Sequence, residues 1–201
     1  SFTMTYRGES VPVSLRVSAV HSAGNAAAAA LAGCAAGLDL AEVAEALSAA
    51  EAVSRWRMEI DITAAGVTVV NDAYNANPAS MTAALKALAE MGRSASGRTW
   101  AVLGEMKELG PDSVGEHDAI GRLAVRLNVS RLIAVGEGAR PLQLAAAHEG
   151  SWNGEAGWVP DNAAAIELLR AEVAPGDVVL VKGSRSVGLE QIAAALLTEG
   201  A

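Results

Sequence analysis

The feature that most limits the possible folds is the alternation of strand-like and helix-like segments after Pro78. Short, mostly apolar runs that are typical of strands buried on both faces occur at 99–103, 131–135, 157–159 and 177–181. Helix-like segments separate them, at 79–91, 114–127, 141–148, 162–173 and 187–197. This alternation is typical of a parallel sheet with crossover helices. The sequence therefore predicts an α/β fold.

The first 53 residues follow a different pattern. Apolar residues alternate on both sides of Arg7-Gly8-Glu9, which predicts a β-hairpin that extends to Val17. Two helices are predicted next, at 22–38 and from an Asp39 cap through 47. A second hairpin is predicted at 58–62 and 67–71.

The domain boundary is predicted between these two patterns. A hairpin and two helices bury too little apolar surface to offset the entropy of the chain, so residues 1–53 are interpreted as part of another domain. Residues 54–201 form a compact unit that is close to the usual size of a domain.

Charge and composition exclude several classes of partner. The formal net charge is −8 and no run is rich in lysine or arginine, which argues against nucleic acid. The single cysteine, Cys34, allows no disulfide framework within the chain and favours a reducing cytoplasm. No segment approaches the roughly 20 apolar residues of a membrane span. We expect a cytoplasmic monomer that binds neither nucleic acid nor membrane.

Polar loops that follow the predicted strands are the candidate ligand sites. The loop that begins at Asp72 could hold a ribose through that carboxylate, or it could be a polar turn with a helix cap. Arg57 could bind phosphate or be a solvated edge charge. The segment 182–186 could bind an anion at the start of the last helix, or Ser184 or Ser186 could simply cap that helix. Because loop 104–110 also leaves a strand, we expect the three loops to converge.

The histidines and tryptophans are interpreted as structural. His21 and Asn25 share a helix face, but no third metal ligand of suitable type is near. We expect His117 and His148 to be surface residues or satisfied core residues. The four tryptophans, at 56, 100, 152 and 158, are scattered and are interpreted as packing residues.

Five segments together resemble the Mur ligases. They are His21-Ser22-Ala23-Gly24-Asn25, Arg57, Asn71-Asp72-Ala73-Tyr74-Asn75-Ala76-Asn77-Pro78, Leu103-Gly104-Glu105-Met106-Lys107-Glu108-Leu109-Gly110 and Val181-Lys182-Gly183-Ser184-Arg185-Ser186. The resemblance covers essentially the whole chain. Within the family it is greatest to the members that add D-alanyl-D-alanine to UDP-N-acetylmuramoyl-tripeptide in peptidoglycan precursor synthesis. It implies a Rossmann-like carboxyl-terminal domain preceded by a remnant of the central ATPase domain.

The resemblance also implies a reaction and a set of site residues. In the family, ATP phosphorylates a substrate carboxylate to an acyl phosphate, which an amine then attacks to give an amide. The residues that match the ATP-binding positions are Asn25 for adenine, Arg57 for the phosphates, Asp72 for the ribose, and Asn75 and Asn77 in the closing loop. Those that match the substrate-binding positions are Lys182, Ser184, Arg185 and Lys107. Mg²⁺ is implied as well, with its ligands expected upstream of this segment.

The chain departs from the family pattern in two respects. Ser22 stands where the family often has an asparagine that packs on adenine. The sequence also contains no Gly-x-x-Gly-Lys-Thr/Ser phosphate loop, and no counterpart of the family's magnesium carboxylate, metal-binding histidine or modified lysine.

Other functions remain open from the sequence. The chain could belong to another amide ligase, such as the diaminopimelate-adding Mur enzyme or a folylpolyglutamate synthetase. It could also be a nucleotide-binding α/β module without catalytic activity.

The missing phosphate loop generates a first prediction. Because the chain lacks the loop that would cradle the ATP phosphates, we expect the isolated 201-residue polypeptide to form no amide bond. An ATP-dependent ligation assay on the purified chain checks this, and turnover above an enzyme-free blank would contradict it.

Overall fold

A computed structural model describes residues 1–15, 20–50, 55–149, 152 and 155–198, with the side chains of 20–22 left out. The chain divides into two compact units, Ser1–Arg55 and Trp56–Ala201. Within the described residues, no helix is both long enough and apolar enough to cross a bilayer.

The first unit contains the predicted hairpin and helices. Strand β1 (Phe2–Tyr6) pairs antiparallel with β2 (Glu9–Val13), and the extension predicted to Val17 includes residues outside the described part. Helix α1 (Val20–Ala35) is followed by α2 (Leu40–Ala49). Helix α1 ends before the predicted Leu38 because Gly37 adopts a left-handed φ of 98° and the Leu38 amide turns back to the Gly33 carbonyl. The Asp39 amide donates to the Glu42 carboxylate at 3.3 Å, which is half of a capping box.

The second unit contains a six-stranded sheet, in which the four strands predicted from the alternation are joined by the two strands of the predicted second hairpin. Its strands are β3 (Glu59–Ile62), β4 (Thr68–Asn71), β5 (Thr99–Gly104), β6 (Arg131–Val135), β7 (Ala156–Val159) and β8 (Val178–Lys182). The order across the sheet is β3-β4-β8-β5-β6-β7. Strand β3 pairs antiparallel with β4, and all other pairs are parallel. The mostly parallel α/β fold is therefore confirmed.

Helices cover both faces of this sheet. They are α3 (Pro78–Ser94), α4 (Ser113–Arg126), α5 (Arg140–His148), α6 (Asn162–Glu172) and α7 (Glu190–Thr198). Apolar residues of α3, α4 and α5 join one buried cluster, and those of α6 and α7 join the other. Alternate strand residues supply the two clusters, as Val70 and Val69 show. The result is a three-layer sandwich in which the central strands are apolar on both sides.

One buried carboxylate, Asp177, holds the amino-terminal edge of the sheet together. It accepts hydrogen bonds from the backbone amides of Arg98 (2.7 Å) and Ala174 (3.1 Å), from the Trp100 indole (2.8 Å) and from the Arg98 guanidinium (3.0 Å). Burial by itself would raise the pKa of Asp177, but these four donors outweigh it and hold the pKa below its ordinary value.

Helices α4 and α5 approach each other closely at Gly121. A Cβ atom at this position would lie 2.2 Å from the Leu142 carbonyl oxygen of α5. Glycine is therefore required here by space, in a helix whose other glycine, Gly115, faces no atom within 4 Å.

These two glycines give a matched test of packing. We expect Gly121→Ala to lower the free energy of unfolding by about 1–3 kcal/mol, because the new methyl group displaces α5. Gly115→Ala should raise it by up to about 1 kcal/mol through helix propensity. Urea unfolding of both variants measures the difference, and equal effects would contradict this account of the α4–α5 contact.

Asp177 generates a prediction on pH dependence. Because its folded pKa lies below its ordinary 3.8, its contribution to stability is complete above pH 3.8 and is lost as pH falls through the folded pKa. Asp177→Asn leaves buried donors without acceptors and should cost about 2–4 kcal/mol near neutral pH.

Urea unfolding between pH 7 and pH 2.5 checks this prediction. The gap in unfolding free energy between the wild-type protein and Asp177→Asn should narrow as the pH falls. Glu90→Gln, in an exposed ion pair of α3, serves as the control and should change stability by less than about 0.5 kcal/mol. A gap that stays constant over this range would contradict the role given to Asp177.

Candidate functional site

Three polar loops meet at the carboxyl-terminal edge of the sheet. Strands β4, β8 and β5 are neighbours in the sheet, so their carboxyl ends lie side by side. The loop at 72–77 follows β4, the segment 183–189 follows β8, and loop 105–109 follows β5. The structure thus brings together the three loops on which the sequence analysis concentrated. In open α/β sheets, this edge is where ligands bind.

A buried ion pair joins the first two loops. Asn71 and Val181 are register partners, so Asp72 and Lys182 occupy adjacent positions at the ends of β4 and β8. Lys182 Nζ lies 2.8 Å from Asp72 Oδ2 and donates to the Asn75 carbonyl at 2.8 Å. The side chains are 3% and 14% exposed, respectively. A buried ammonium needs such partners, because an unpaired charge out of water is costly.

The segment before β3 is bent around the same carboxylate. Trp56 and Met58 both adopt a left-handed conformation, with φ of 61° and 51°. The Met58 amide donates to Asp72 Oδ1 at 3.1 Å, and the Tyr74 amide donates to the Trp56 carbonyl at 3.0 Å. A left-handed φ costs a non-glycine residue roughly 1–2 kcal/mol. The hydrogen bonds of the Met58 and Tyr74 amides therefore hold this segment in a strained conformation. Arg57, between these two residues, is exposed at this edge.

Two arginines at this edge stack on aromatic rings. The Arg57 guanidinium lies 4.2 Å from the Tyr74 ring centre, and the Arg185 guanidinium lies 4.3 Å from that of Trp56. Arg185 also donates to Glu190 at 2.8 Å. Stacking limits the motion of a guanidinium and leaves its edge free to donate hydrogen bonds.

Ser184 ties the second loop to the third. Its amide donates to the Glu105 carbonyl at 3.0 Å, and its hydroxyl accepts from the Lys107 amide at 2.8 Å. The loops pass so closely that a Cβ on Gly183 would lie 3.2 Å from Gly104 Cα. Lys107 Nζ pairs with the Glu105 carboxylate at 2.5 Å.

The prediction that 182–186 opens the last helix is wrong. Helix α7 begins at Glu190, and a short 3₁₀ turn, Arg185–Val187, precedes it. Gly188 has φ of 70°, which interrupts the helical path. The helix-start anion site is therefore not formed there. The alternative of a simple cap is also incorrect for Ser184, because its side chain makes no cap hydrogen bond.

The remaining predicted residues have varied surroundings. Asn77 caps α3, since its side chain accepts from the Ser80 amide at 2.8 Å. The Asn75 side-chain oxygen accepts from the Ala76 amide at 2.8 Å, and Asn75 is exposed. Asn25 is an exposed residue of α1 in the first unit, and the side chains of His21 and Ser22 lie outside the described residues.

Two aromatic residues of the site were not identified from the sequence. The scattered tryptophans predict a packing role for Trp56, and Tyr74 stands out only as part of the 71–78 motif, yet an arginine stacks on each ring. The Trp56-Arg57 neighbourhood offered a signal, because an aromatic residue beside a cation is a common stacking arrangement. The packing interpretation is correct for Trp100, which is fully buried, and for Trp152 and Trp158, which pack against the core.

The charges at this edge favour an anionic ligand. Three of its four cations have carboxylate partners: Lys182 with Asp72, Lys107 with Glu105 and Arg185 with Glu190. Arg57 stacks on Tyr74 and has no carboxylate partner within the described part of the chain. Among those same residues, no group of three or more His, Cys, Asp or Glu could hold a metal ion. The side chains gathered at this edge offer hydrogen bonds and positive charge.

Two curated ligases are similar in sequence to this chain. The chain is 50% identical to "UDP-N-acetylmuramoyl-tripeptide--D-alanyl-D-alanine ligase" of Mycobacterium leprae (strain TN), over 97% of this chain and 40% of that protein. It is 33% identical to the protein of the same name from Escherichia coli (strain K12), over 99% of this chain and 42% of that one. The chain therefore spans about two fifths of the length of these curated relatives.

Solved structures and a family comparison agree with these relatives. The crystal structure II of MurF from Acinetobacter baumannii superposes with a TM-score of 0.82 at 28% identity, over 98% of this chain and 42% of that one. The family model described as "Mur ligase, glutamate ligase domain" matches residues 56–185, most of the second unit. The chain therefore belongs to the Mur ligase family.

Proposed function

We propose that this chain is part of an ATP-dependent ligase that joins D-alanyl-D-alanine to UDP-N-acetylmuramoyl-tripeptide in peptidoglycan precursor synthesis. The names of the relatives support this substrate pair over the diaminopimelate-adding and folylpolyglutamate alternatives. The observation that carries the proposal is the placement of Arg57. Its side chain is exposed, stacks on Tyr74 and has no carboxylate partner among the described residues. The next residue, Met58, donates its amide to the Asp72 carboxylate at the edge of the sheet where nucleotides bind.

In this proposal, a cationic side chain and an anionic side chain both contact ATP. Arg57 binds the phosphates, since a guanidinium donates paired hydrogen bonds to phosphate oxygens. Asp72 accepts from the ribose hydroxyls. Its carboxylate has about four lone-pair positions, and the hydrogen bond from Met58 and the contact with Lys182 leave room for two more. Asn25 contacts adenine, while Asn75 and Asn77 shape the loop near the nucleotide.

The substrate-binding roles differ among the four proposed residues. Arg185 is half-exposed and held between Trp56 and Glu190, so it is the group best placed to meet a substrate carboxylate. Lys107 is exposed and can exchange Glu105 for a ligand. Ser184 and Lys182 are buried, and we assign them to positioning. Lys182 acts on the ligand through Asp72 and the Asn75 carbonyl.

The proposed reaction transfers the γ-phosphoryl group of ATP to the carboxylate of the tripeptide substrate, with release of ADP. The amine of D-alanyl-D-alanine then attacks the activated carbonyl, phosphate leaves, and the nitrogen loses a proton. Oriented cations stabilise the negative charge that develops on oxygen. Mg²⁺ would support phosphoryl transfer, and its ligands are proposed to lie outside this chain.

We also propose a domain assignment and a setting. Residues 1–53 are the carboxyl-terminal part of the central ATP-binding domain, and residues 54–201 form the carboxyl-terminal domain. The protein works as a monomer in the cytoplasm, where ATP and the nucleotide-linked substrate occur.

Substitution of Arg57 in the full-length protein tests the proposal. We expect Arg57→Ala to lower kcat/KM for ATP roughly 10- to 100-fold, since a hydrogen bond to a charged group is removed. Arg57→Lys should restore part of that loss. The measurement is ADP release that depends on both UDP-N-acetylmuramoyl-tripeptide and D-alanyl-D-alanine, with the amide product identified by mass.

Arg93→Ala is the matched control, because Arg93 is exposed on α3 and pairs only with Glu90 among the described residues. It should leave kcat/KM unchanged. The proposed function fails if the wild-type protein releases no ADP with this pair of substrates. The role of Arg57 fails if Arg57→Ala matches Arg93→Ala.

A further inference from the structure

His117 is a titratable side chain at full burial that the proposed function does not use. It lies in α4 with 0% exposure, below the loop that carries Lys107. Of the two roles expected from the sequence, surface residue or satisfied core residue, the structure confirms the second. The two ring nitrogens, however, contact different segments of the chain.

The partners of the ring define its tautomer. The backbone amide of Met106 donates to Nε2 at 2.8 Å, so Nε2 carries no proton. Nδ1 lies 2.6 Å from the Ser113 carbonyl oxygen, which can only accept, so Nδ1 carries the proton. One nitrogen of the ring is therefore hydrogen-bonded to its own helix and the other to the loop.

The Met106 amide is the centre of the loop's attachment. Residues on either side of it contact Ser184, through the Glu105 carbonyl and the Lys107 amide. The Met106 side chain is 1% exposed and packs in the core. Two residues farther along, Glu108 has a left-handed φ of 65°. The imidazole thus fixes the point at which the loop turns from the sheet toward Lys107.

We propose that His117 is a positioning residue for the substrate-binding edge. By accepting from Met106, it holds the 105–107 backbone in register with Ser184 and so sets the position of Lys107. This inference rests on the proposed function for its effect on catalysis, because Lys107 and Ser184 are proposed substrate-site residues. The effect on the loop itself does not depend on that function.

Two substitutions separate the two nitrogens. The side-chain oxygen of His117→Gln reaches the position of Nε2, so it can accept from Met106 but loses the contact with Ser113. The side-chain amide of His117→Asn reaches the position of Nδ1, so it can donate to Ser113 but leaves the Met106 amide unpaired. Each variant therefore keeps one of the two hydrogen bonds. A purely structural role predicts similar losses in both.

The first test measures the loop directly. Amide hydrogen exchange by NMR should show Met106 and Lys107 exchanging at least about tenfold faster in His117→Asn than in His117→Gln. In the wild-type protein, a scalar coupling across the hydrogen bond should connect the Met106 amide nitrogen with His117 Nε2, and this measurement needs no substitution. Equal exchange in the two variants, or a proton on Nε2, would overturn the proposal.

The second test uses the full-length protein. KM for D-alanyl-D-alanine should be about tenfold higher in His117→Asn than in His117→Gln, because a smaller fraction of the molecules holds loop 105–107 in the binding conformation. KM for ATP should differ between the two variants by less than about twofold. His148→Asn, at an exposed site of α5, is the control and should change neither constant. A parallel rise of both constants would overturn the catalytic part. If the proposed function itself is wrong, the wild-type protein will show no turnover, while the difference in hydrogen exchange between the two variants will remain.

Discussion

The contact between Lys182 and Asp72 is the interaction on which the carboxyl edge depends. It joins the ends of two adjacent parallel strands and adds a third partner, the Asn75 carbonyl. The same carboxylate accepts from Met58, which holds the bent segment that presents Arg57. A buried ion pair is weak support for stability as such, because desolvation offsets much of the attraction. Its contribution here is geometric, because it places the Asp72 carboxylate and the exposed Arg57 guanidinium on neighbouring chain segments.

The two edges of the sheet use buried carboxylates in different ways. At the amino-terminal edge, Asp177 is saturated by four donors and connects strand ends in a closed arrangement. At the carboxyl-terminal edge, Asp72 keeps accepting capacity and remains partly open. Three non-glycine residues with left-handed φ, Trp56, Met58 and Glu108, lie in segments of the carboxyl edge. Strain and open hydrogen-bonding capacity thus coincide at the edge that we propose as functional, while the other edge supplies rigidity.

The cationic side chains of the site differ in how strongly their contacts restrict their motion. Lys182 is enclosed by its partners, Lys107 and Arg185 are paired near the surface, and Arg57 stacks on a ring. An ammonium on a flexible stem adapts to a carboxylate beside it, whereas a planar guanidinium on an aromatic ring keeps its orientation. A phosphate ligand gains most from such a preorganised donor, because little motion is lost on binding.

The layer architecture of the second unit follows from sequence pattern alone. Short apolar strands and amphipathic helices in alternation allow little other than a parallel sheet covered on both faces, and turn residues such as Gly8 marked where elements end. The sequence also indicated which loops matter, because polar residues that directly follow parallel strands lie at one edge of the sheet. The side-chain partners at that edge, in contrast, depend on tertiary packing. Strand order places β8 between β4 and β5, and that order set Lys182 beside Asp72 over a separation of 110 residues. The same packing brought the Trp56 ring against the Arg185 guanidinium and the His117 ring within hydrogen-bonding distance of the Met106 amide. Local sequence cannot specify such contacts, since hydrophobic periodicity reports which face of an element is buried and carries no information on which distant side chain meets it there.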